Sequence, residues 1–409
     1  MTRGSCRFCG AELQHVFADL GLSPLSNSFP TEAQLGEMEA FYPLTAFVCD
    51  RCFLVQLGEF ASPEELFGDY AYFSSYSTTW LEHARAYVDM IVERLRLGPA
   101  SRVIEVASND GYLLQHFVTR GIPVLGVEPA ANVARAAVER GVPTHVAFFG
   151  RETARELAEH ERADLIIGNN VLAHVPDLND FVAGLAVLLA PGGAVTLEFP
   201  HLLTLIAQRQ FDTIYHEHFS YFSFLAARRA LSAHGLRVFD VERLRTHGGS
   251  LRVYACHLDD HRAEVERVRA LAAEEEATGL ERLETYCDFA EGVRAAKRDL
   301  VAFLIECKRK GETIVGYGAP AKGNTLLNYC GIGTDFVDYT VDRNPYKQGR
   351  FLPGTHIPIR AIDALRETKP DLLFVLPWNL IDEIMEQMAF VREWGGRFLV
   401  TTPELRVYG

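Results

Sequence analysis

Four of the eight cysteines form two closely spaced pairs, Cys6 with Cys9 and Cys49 with Cys52. Two residues separate the members of each pair, so a tight turn places both sulfurs on one side of the backbone. Two such turns supply the four thiolates of a closed tetrahedral site, which is typical of structural zinc. Coincidental thiols or a redox pair are the alternative interpretations.

A second group of polar residues follows a short apolar strand and precedes a helical pattern, where α/β folds bend the backbone tightly against a cofactor. The candidate cofactor-binding residues of this turn are Glu105, Ala107, Ser108, Asn109, Asp110 and Gly111. Glu128 ends the next strand and is positioned to accept hydrogen bonds from a ribose diol.

This turn lacks the usual glycine pattern and is rich in Asn and Asp, which suits a cationic sulfonium better than a pyrophosphate. Together with Pro191-Gly192-Gly193 before the fourth strand, it favours an S-adenosylmethionine-dependent methyltransferase of class I. A generic Rossmann domain is the alternative.

The segment Tyr215–Phe222 contains two histidines, a glutamate and two tyrosines. His216 and His218 are two positions apart, whereas the two histidines of a zinc-protease helix lie at positions i and i+4. General acid–base chemistry is the better interpretation, because the pKa of imidazole matches neutral pH. A histidine-rich packing corner is the alternative.

Two further segments are candidates for binding a substrate. The run from Asp69 to Ser77 holds three tyrosines and three serines, which could line a polar pocket or form a domain junction. The turn Gly316–Thr325 places Lys322 at a predicted helix start, as in a phosphate cradle, or is a purely structural glycine turn. The run Asp342–Gly349 adds cationic groups to it.

The elements that must position these residues follow an α/β pattern. Strands alternate with helices in the middle of the chain, and the alternation restarts after a charged helical stretch at 259–310, which predicts two parallel, doubly wound sheets. The predicted domains are a zinc-binding module at 1–70, a cofactor-binding domain at 71–300 and a Rossmann-like domain at 301–409. The predicted strands lie at 102–106, 124–128, 164–168, 194–199, 313–318, 336–342, 371–376 and 397–400.

Composition narrows the class of partner. The net charge of −14 disfavours nucleic-acid binding, which needs clustered cationic residues. No apolar run approaches the roughly 18 residues of a membrane helix, and the N-terminus lacks the apolar core of a secretory signal. A cytoplasmic enzyme, possible as a monomer, is the expectation.

Along its whole length the chain resembles the sugar C-methyltransferases that act at C3 of dTDP-4-keto-deoxysugars. The resemblance rests on the cysteine quartet, Tyr70–Ser77, Glu105–Leu114, Val127–Pro129, Asn169–Val175, Glu198–His201, Tyr215–Phe219, His247–Ser250 and Gly316–Asn328.

The resemblance implies zinc in the N-terminal module, S-adenosylmethionine in the middle domain, and a C-terminal domain that helps to hold a dTDP-linked sugar. It adds Asn169 and Asn170 to the candidate cofactor-binding residues. It further implies that His218 is the base at C3, with Tyr215, Glu217 and His174 orienting the sugar and holding the enolate oxygen. The candidate substrate-binding residues are Tyr70, Tyr72, Tyr76, His201, Lys322 and Asn324.

Three other functions remain open at this point. A nicotinamide-dependent oxidoreductase could use either Rossmann-like domain, although neither has the full glycine fingerprint with a downstream acid. The chain could instead be a non-catalytic nucleotide-sugar-binding or zinc scaffold protein, or a methyltransferase for another small carbonyl compound.

Overall fold

The computed structural model describes residues 4–60, 74–76 and 78–409. Ser62-Pro63-Glu64-Glu65, a sequence that predicts a helix start, lies outside these residues, as do Tyr70, Tyr72 and the side chain of Tyr76. The described chain forms three β-sheets, of four, seven and six strands.

The N-terminal region contains an antiparallel sheet that the sequence pattern did not predict. Its strands are short and separated by turns, so they show little periodicity. They are β1 (His15–Ser23), β2 (Tyr42–Val48) and β3 (Val55–Leu57), with a 3₁₀ helix at Glu32–Gly36 between β1 and β2.

The middle region contains the seven-stranded sheet. Its strands are β4 (Val103–Val106), β5 (Val124–Val127), β6 (Thr144–His145), β7 (Ala163–Asn169), β8 (Leu189–Pro200), β10 (Leu236–Leu244) and β11 (Ser250–His257). The intervening strand β9 (Ser220–Tyr221) is part of the N-terminal sheet. The spatial order is β10-β11-β8-β7-β4-β5-β6. Strands β4 to β8 are parallel, and β11 is antiparallel to both of its neighbours.

The four predicted strands of this sheet are present, and the parallel α/β arrangement confirms the predicted fold class. The antiparallel pair β10–β11 was not predicted. Strand β8 also begins at Leu189, directly after a helix, so Pro191-Gly192-Gly193 lies within the assigned strand and not before it.

Helices cover both faces of this sheet. The α-helices are α1 (Thr78–Leu95), α2 (Gln115–Val118), α3 (Ala131–Glu139), α4 (Arg151–His160), α5 (Leu178–Leu188), α6 (Leu202–Ala207) and α7 (Phe224–Ala233). Short 3₁₀ helices lie at Ser74–Tyr76, Leu172–His174, Phe211–Thr213 and Thr246–Gly248. The sequence pattern predicts a helix over 112–120, but only the single turn α2 forms there.

The C-terminal region contains the six-stranded sheet. Helices α8 (Glu266–Ala277) and α9 (Leu283–Arg309) lead into β12 (Ile314–Tyr317), α10 (Ala321–Cys330), β13 (Thr340–Val341), β14 (Ile359–Arg360), α11 (Ala364–Thr368), β15 (Leu372–Val375), α12 (Ile381–Gln387), β16 (Arg397–Val400) and β17 (Arg406–Tyr408). Two 3₁₀ helices lie at Trp378–Leu380 and Ala389–Trp394. All neighbouring strands are parallel except β16 and β17.

The strand predicted at 336–342 is shorter than expected. Only Thr340 and Val341 pair in the sheet, because a turn in which the amide of Phe336 donates to the carbonyl of Gly333 precedes them. The predicted domain boundaries remain predictions; the one between 300 and 301 falls inside α9.

The three regions share their packing. Strand β9 pairs with β3, so a segment of the middle region completes the N-terminal sheet. One apolar cluster joins Phe17 of β1, Leu304 of α9 and Leu326 of α10. Within the described residues, no helix combines the length and apolar character needed to cross a membrane.

Candidate active site and metal centre

The sulfurs of Cys6, Cys9, Cys49 and Cys52 lie within 4.8 Å of one another. The Sγ atoms of Cys6 and Cys52 are 3.5 Å apart, as are those of Cys9 and Cys49. A tetrahedron with Zn–S bonds of about 2.3 Å has edges of about 3.8 Å, so the four sulfurs need only a small adjustment to bind zinc. The predicted quartet therefore fits a zinc ion.

Two N–H groups point at these sulfurs. The side-chain amide of Gln56 donates to the Sγ atom of Cys6 at 3.2 Å, and the backbone amide of Arg51 lies 3.4 Å from the Sγ atom of Cys49. Donors aimed at sulfur stabilise thiolates, which are the form that binds zinc.

The metal centre is connected directly to the segment that carries the candidate catalytic residues. Gln56 accepts a hydrogen bond from the amide of Arg7 at 2.9 Å and pairs with Ser220 in the β3–β9 ladder. The guanidinium of Arg7 donates to the carbonyl of Leu57 at 2.7 Å and lies over the ring of Phe219, 5.3 Å from its centroid. The first cysteine turn thus holds residues 219–221 in place.

A cavity of about 660 Å³ lies where the three regions meet, a size typical of small-molecule sites. Its lining includes residues of all three regions, among them Asn27, Trp80, Ala107, Asn109, Glu128, Asn169, Asn170, His174, Tyr215, Glu217, His218, His247, Lys322 and Lys347. The structure therefore brings the cofactor-binding and catalytic candidates together in one space.

Glu128 is fixed at the end of β5, facing this cavity. Its carboxylate accepts hydrogen bonds from the backbone amides of Asn109 and Ala130, both at 2.9 Å. Burial raises the pKa of Glu128, and these two hydrogen bonds oppose the increase. The carboxylate is thus held in one orientation with lone pairs left to accept from a hydroxyl.

Asn169 ends β7 on the same side of the cavity. It is buried, and among the described residues neither its amide nitrogen nor its amide oxygen has a hydrogen-bond partner. A buried amide without partners is costly, so it indicates a place where a ligand completes the hydrogen bonding. Ala107 and Asn109, with φ of 55° and 50°, bend the neighbouring turn towards this space.

The rest of the predicted turn supports the cavity without lining it. Asp110 is fully buried and pairs with Arg140, with 2.6 Å between its Oδ2 atom and the Nη1 atom. A Cβ atom on Gly111 would lie 2.9 Å from Val142, so this position needs glycine. Ser108 packs against Gly126 on β5, and burial raises the pKa of Glu105 well above its usual value.

His218 has its tautomer set by its neighbours. Its Nδ1 atom lies 3.0 Å from the carbonyl oxygen of Thr213, which only accepts, so Nδ1 carries the proton. Its Nε2 atom is then the acceptor, and the hydroxyl of Tyr215 donates to it at 2.8 Å. The ring of His174 packs edge-on against His218, with centroids 4.7 Å apart.

Both imidazoles are neutral at physiological pH. Burial, followed by the nearby His174, lowers the pKa of His218 well below its usual value. Burial also lowers the pKa of His174 to about 4. His218 therefore keeps a lone pair on Nε2 over the whole neutral range, although the lowered pKa also makes it a weaker proton acceptor than an exposed histidine.

Glu217 lies beside this pair and has the opposite shift. Burial raises the pKa of Glu217 to about 7, while Asn27 and Lys347 oppose the increase. The side-chain amide of Asn27 donates to its Oε1 atom at 2.6 Å. The carboxyl group of Glu217 thus accepts a hydrogen bond from a loop of the N-terminal region and interacts electrostatically with a lysine of the C-terminal region.

Lys322 enters the cavity from the start of α10. Burial lowers its pKa to about 8, with the buried carboxylate of Asp212 opposing the decrease. Its Nζ atom donates to the side chain of Asn379 at 2.8 Å and lies 4.4 Å from the centroid of a Trp378 ring. Lys347 donates to the carbonyl of Ala319 at 2.8 Å, so two lysines line the same end of the cavity.

Two predicted substrate-binding residues lie outside the cavity lining. His201 pairs with buried Glu275, its Nε2 atom 2.6 Å from a carboxylate oxygen, and the same carboxylate accepts from the amide of Phe224 at the start of α7. Asn324 donates to the carbonyl of Ser26 at 2.5 Å. In this structure both residues join elements together.

No sequence pattern pointed to Asn27 or Trp80. His247 appeared only among the residues of the resemblance, and Lys347 only within the cationic run at 342–349. Asn27 lies in a loop with no pattern, and Trp80 lies in an ordinary amphipathic helix. His247 could have been found from the adjacent Gly248 and Gly249, since paired glycines often mark a turn beside a site.

Three family models match the chain: a zinc-binding domain at residues 6–67, a methyltransferase domain at 80–241 and a C-methyltransferase C-terminal domain at 245–403. The chain is 39% identical over 406 residues to the C-methyltransferase NovU of Streptomyces niveus, covering 98% of this chain and 96% of that protein.

Two further similarities each cover less than half of this chain. A ubiquinone biosynthesis O-methyltransferase of Bradyrhizobium is 30% identical over 97 residues, which is 24% of this chain and 38% of that protein. The PH0226 protein of Pyrococcus horikoshii is similar over 48% of this chain and 99% of its own, with 15% identity and a TM-score of 0.38.

The four-sulfur geometry predicts that Cys49→Ser lowers the zinc content from about one ion per chain towards zero and strongly destabilises the fold, since structural zinc contributes to folding directly. Elemental analysis and thermal denaturation measure the two effects. Cys287→Ser is the matched control, because Cys287 is exposed and outside the quartet, and it should leave both unchanged. Full zinc content in the Cys49 variant would contradict the assignment.

The raised pKa of Glu217 predicts a stability change with a definite sign. Between its ordinary value of 4.5 and about 7, the unfolded chain ionises this group while the folded chain keeps it neutral, so stability falls as the pH rises. Glu217→Gln cannot ionise and should be more stable than the parent above pH 7, by roughly 3 kcal/mol, but not near pH 4.5. Denaturant unfolding at several pH values measures this; parallel pH profiles of the two proteins would refute it.

Proposed function

The chain belongs to the family of zinc-containing, S-adenosylmethionine-dependent C-methyltransferases, and from this premise we propose that it methylates C3 of a dTDP-4-keto-deoxysugar. The observation that carries the proposal is the shared cavity. A neutral histidine in the tautomer of a base, the cofactor-side groups Glu128 and Asn169, and two lysines all line it.

The cofactor-side residues suit the methyl donor. S-adenosylmethionine, when bound, supplies an electrophilic methyl group. Glu128 would accept hydrogen bonds from the ribose diol, and Asn169 would use the amide atoms that lack partners within the described chain. Ala107, Asn109 and Asn170, which also line the cavity, carry no charge and so do not repel a cationic ligand.

The lysine end of the cavity suits a substrate with negative charge. Lys322 and Lys347 come from the C-terminal region and would bind a diphosphate, which explains why that region contributes to the site. Burial beside the cavity makes each contact with an anion stronger than it would be in water.

The base in this proposal is His218. A ketone at C4 acidifies the C3–H bond because the electron pair can move onto the ketone oxygen. The Tyr215 hydroxyl now occupies Nε2 of His218, and it can turn to a substrate oxygen when the sugar binds, which frees the lone pair. Glu217 and His174 would orient the sugar around this atom.

We further propose a cytoplasmic, monomeric enzyme that acts in deoxysugar biosynthesis without nucleic-acid or membrane partners. The net charge of −14 supports the exclusion of nucleic acids. The same cavity could accept another small ketone, and the substrate assay separates the two functions.

The substrate assay uses a panel of dTDP-4-keto sugars that carry a hydroxyl, an amino group or hydrogen at C3, with methyl-labelled S-adenosylmethionine. We expect label on C3 of at least one dTDP-linked sugar. The same sugar without its nucleotide is the matched control. It should react at least tenfold more slowly, because it lacks the diphosphate that would contact the two lysines. Equal labelling of nucleotide-free ketones would favour the alternative substrate class.

Substitution of the base is the second test. His218→Asn should lower turnover by roughly 10²–10⁴, the usual range for loss of a general base, and should abolish exchange of the C3 hydrogen in deuterated water. His216→Asn is the matched control, because His216 contacts the carbonyl of Pro43 outside the cavity lining and should leave turnover nearly unchanged. Turnover close to the parent value in the His218 variant would remove it as the base.

A further inference from the structure

His247 has a backbone conformation that side chains rarely adopt. Its φ of 55° and ψ of 21° are left-handed, and Gly248 and Gly249 continue the turn with φ of 88° and 121°. A left-handed non-glycine residue costs free energy and persists where its surroundings enforce it. Such outliers are concentrated at functional sites.

The surroundings of this turn leave it little freedom. A Cβ atom on Gly248 would lie 2.4 Å from the ring of Trp378, and one on Gly249 would lie 2.6 Å from Thr204. The turn is therefore packed tightly between Thr204 of the middle region and Trp378 of the C-terminal region. Its geometry directs the side chain of His247 into the cavity.

The polar edge of the His247 ring is available to a ligand. Trp80 packs against the ring edge-on, with centroids 5.1 Å apart. Among the described residues, its polar contact is the amide nitrogen of Asn170, 3.5 Å from each ring nitrogen. That distance is at the outer limit of a hydrogen bond, so it does not hold the ring nitrogens firmly.

Three other polar groups at the catalytic end have partners within the protein, and Tyr215 must leave His218 before it can contact a substrate oxygen. Tyr215 donates to His218, Glu217 accepts from Asn27, and Lys322 donates to Asn379. Deprotonation next to a ketone needs one further group, a donor for the oxygen on which negative charge develops.

We propose that His247 is a catalytic residue, which donates a hydrogen bond from its neutral imidazole to the ketone oxygen of the substrate. This assignment rests on the proposed function. When the C3–H bond breaks, the proton moves to Nε2 of His218 and the electron pair moves onto the oxygen held by His247. The pair would then return to form the bond from C3 to the methyl carbon as the bond from that carbon to the donor sulfur breaks, leaving the electron pair of the broken bond on sulfur and the proton on His218.

The electrostatics of the cavity agree with a neutral donor. The protein around its ring, followed by the positive charge of Lys322, lowers the pKa of His247, although the side chain is exposed to the cavity. A neutral imidazole holds its N–H proton far more tightly than an imidazolium does, so it can donate to the oxygen without surrendering the proton.

The test exploits the strained backbone. Glycine adopts a left-handed conformation without penalty, so His247→Gly should keep or raise the melting temperature while removing the donor. We expect turnover to fall roughly 10²–10³-fold, with both KM values within about threefold of the parent. Free imidazole added to this variant should restore part of the lost turnover, because it can enter the space left by the side chain.

The matched control is His356→Gly. His356 is also left-handed, with φ of 53°, but it pairs with Glu39 and does not line the cavity. Its variant should keep the parent turnover within about twofold and show no response to imidazole.

The outcomes separate the two proposals. If the parent enzyme methylates a 4-keto sugar and His247→Gly does so equally well, only the assignment of His247 is refuted. A turnover loss that imidazole does not reverse, accompanied by a lower melting temperature, would also refute it in favour of a structural role. If the parent methylates no ketone, the proposed function fails, and the role of His247 fails with it.

Discussion

The pairing of β3 with β9 is the contact on which the rest of the site depends. On one side of it, Gln56 contacts a cysteine sulfur; on the other, Phe219 to Tyr221 continue from the residues that face the cavity. A closed zinc site does no chemistry itself. Here it fixes the cysteine turns. Arg7 contacts Phe219 and Gln56 pairs with Ser220, so the same contacts restrict the movement of the adjacent His218.

Burial in a junction between three regions sets the chemical character of the cavity. It lowers the pKa of His218 and of Lys322, and it raises the pKa of Glu217. All three shifts favour the neutral form, because a charge is costly away from water. Away from water, the interaction with any charge that a reaction creates is stronger, so the few groups that can stabilise an anion become decisive.

The sequence carried the local features of this protein well. The cysteine pairs, the turn before Gly111 and the dense segment around His218 are short-range patterns. The structure brings the four sulfurs close together and places residues of the other two segments beside one cavity, while their roles remain predictions. The sequence does not predict which side chains of the turn at 105–111 face the cavity. Asp110 and Asn109 are neighbours of similar type, yet Arg140 holds Asp110 away from it.

The remaining differences also have long-range causes. His201 is buried against Glu275, a residue of a charged helix far along the chain, and no local pattern reveals that pairing. The antiparallel pair β10–β11 depends on the edge that β8 offers. The left-handed backbone of His247 lies in a turn that packs against Trp378 and Thr204, and these contacts exist only in the assembled fold.

The β3–β9 ladder also has a consequence for biosynthesis. The four cysteines leave the ribosome well before Tyr221, so zinc can bind early, but β3 has an unpaired edge until the chain has been extended to Tyr221. An unpaired strand edge is a site of unwanted association. The N-terminal sheet is therefore completed only after most of the middle region has been made, which places its final closure late in folding and makes the nascent chain most vulnerable to aggregation during that interval.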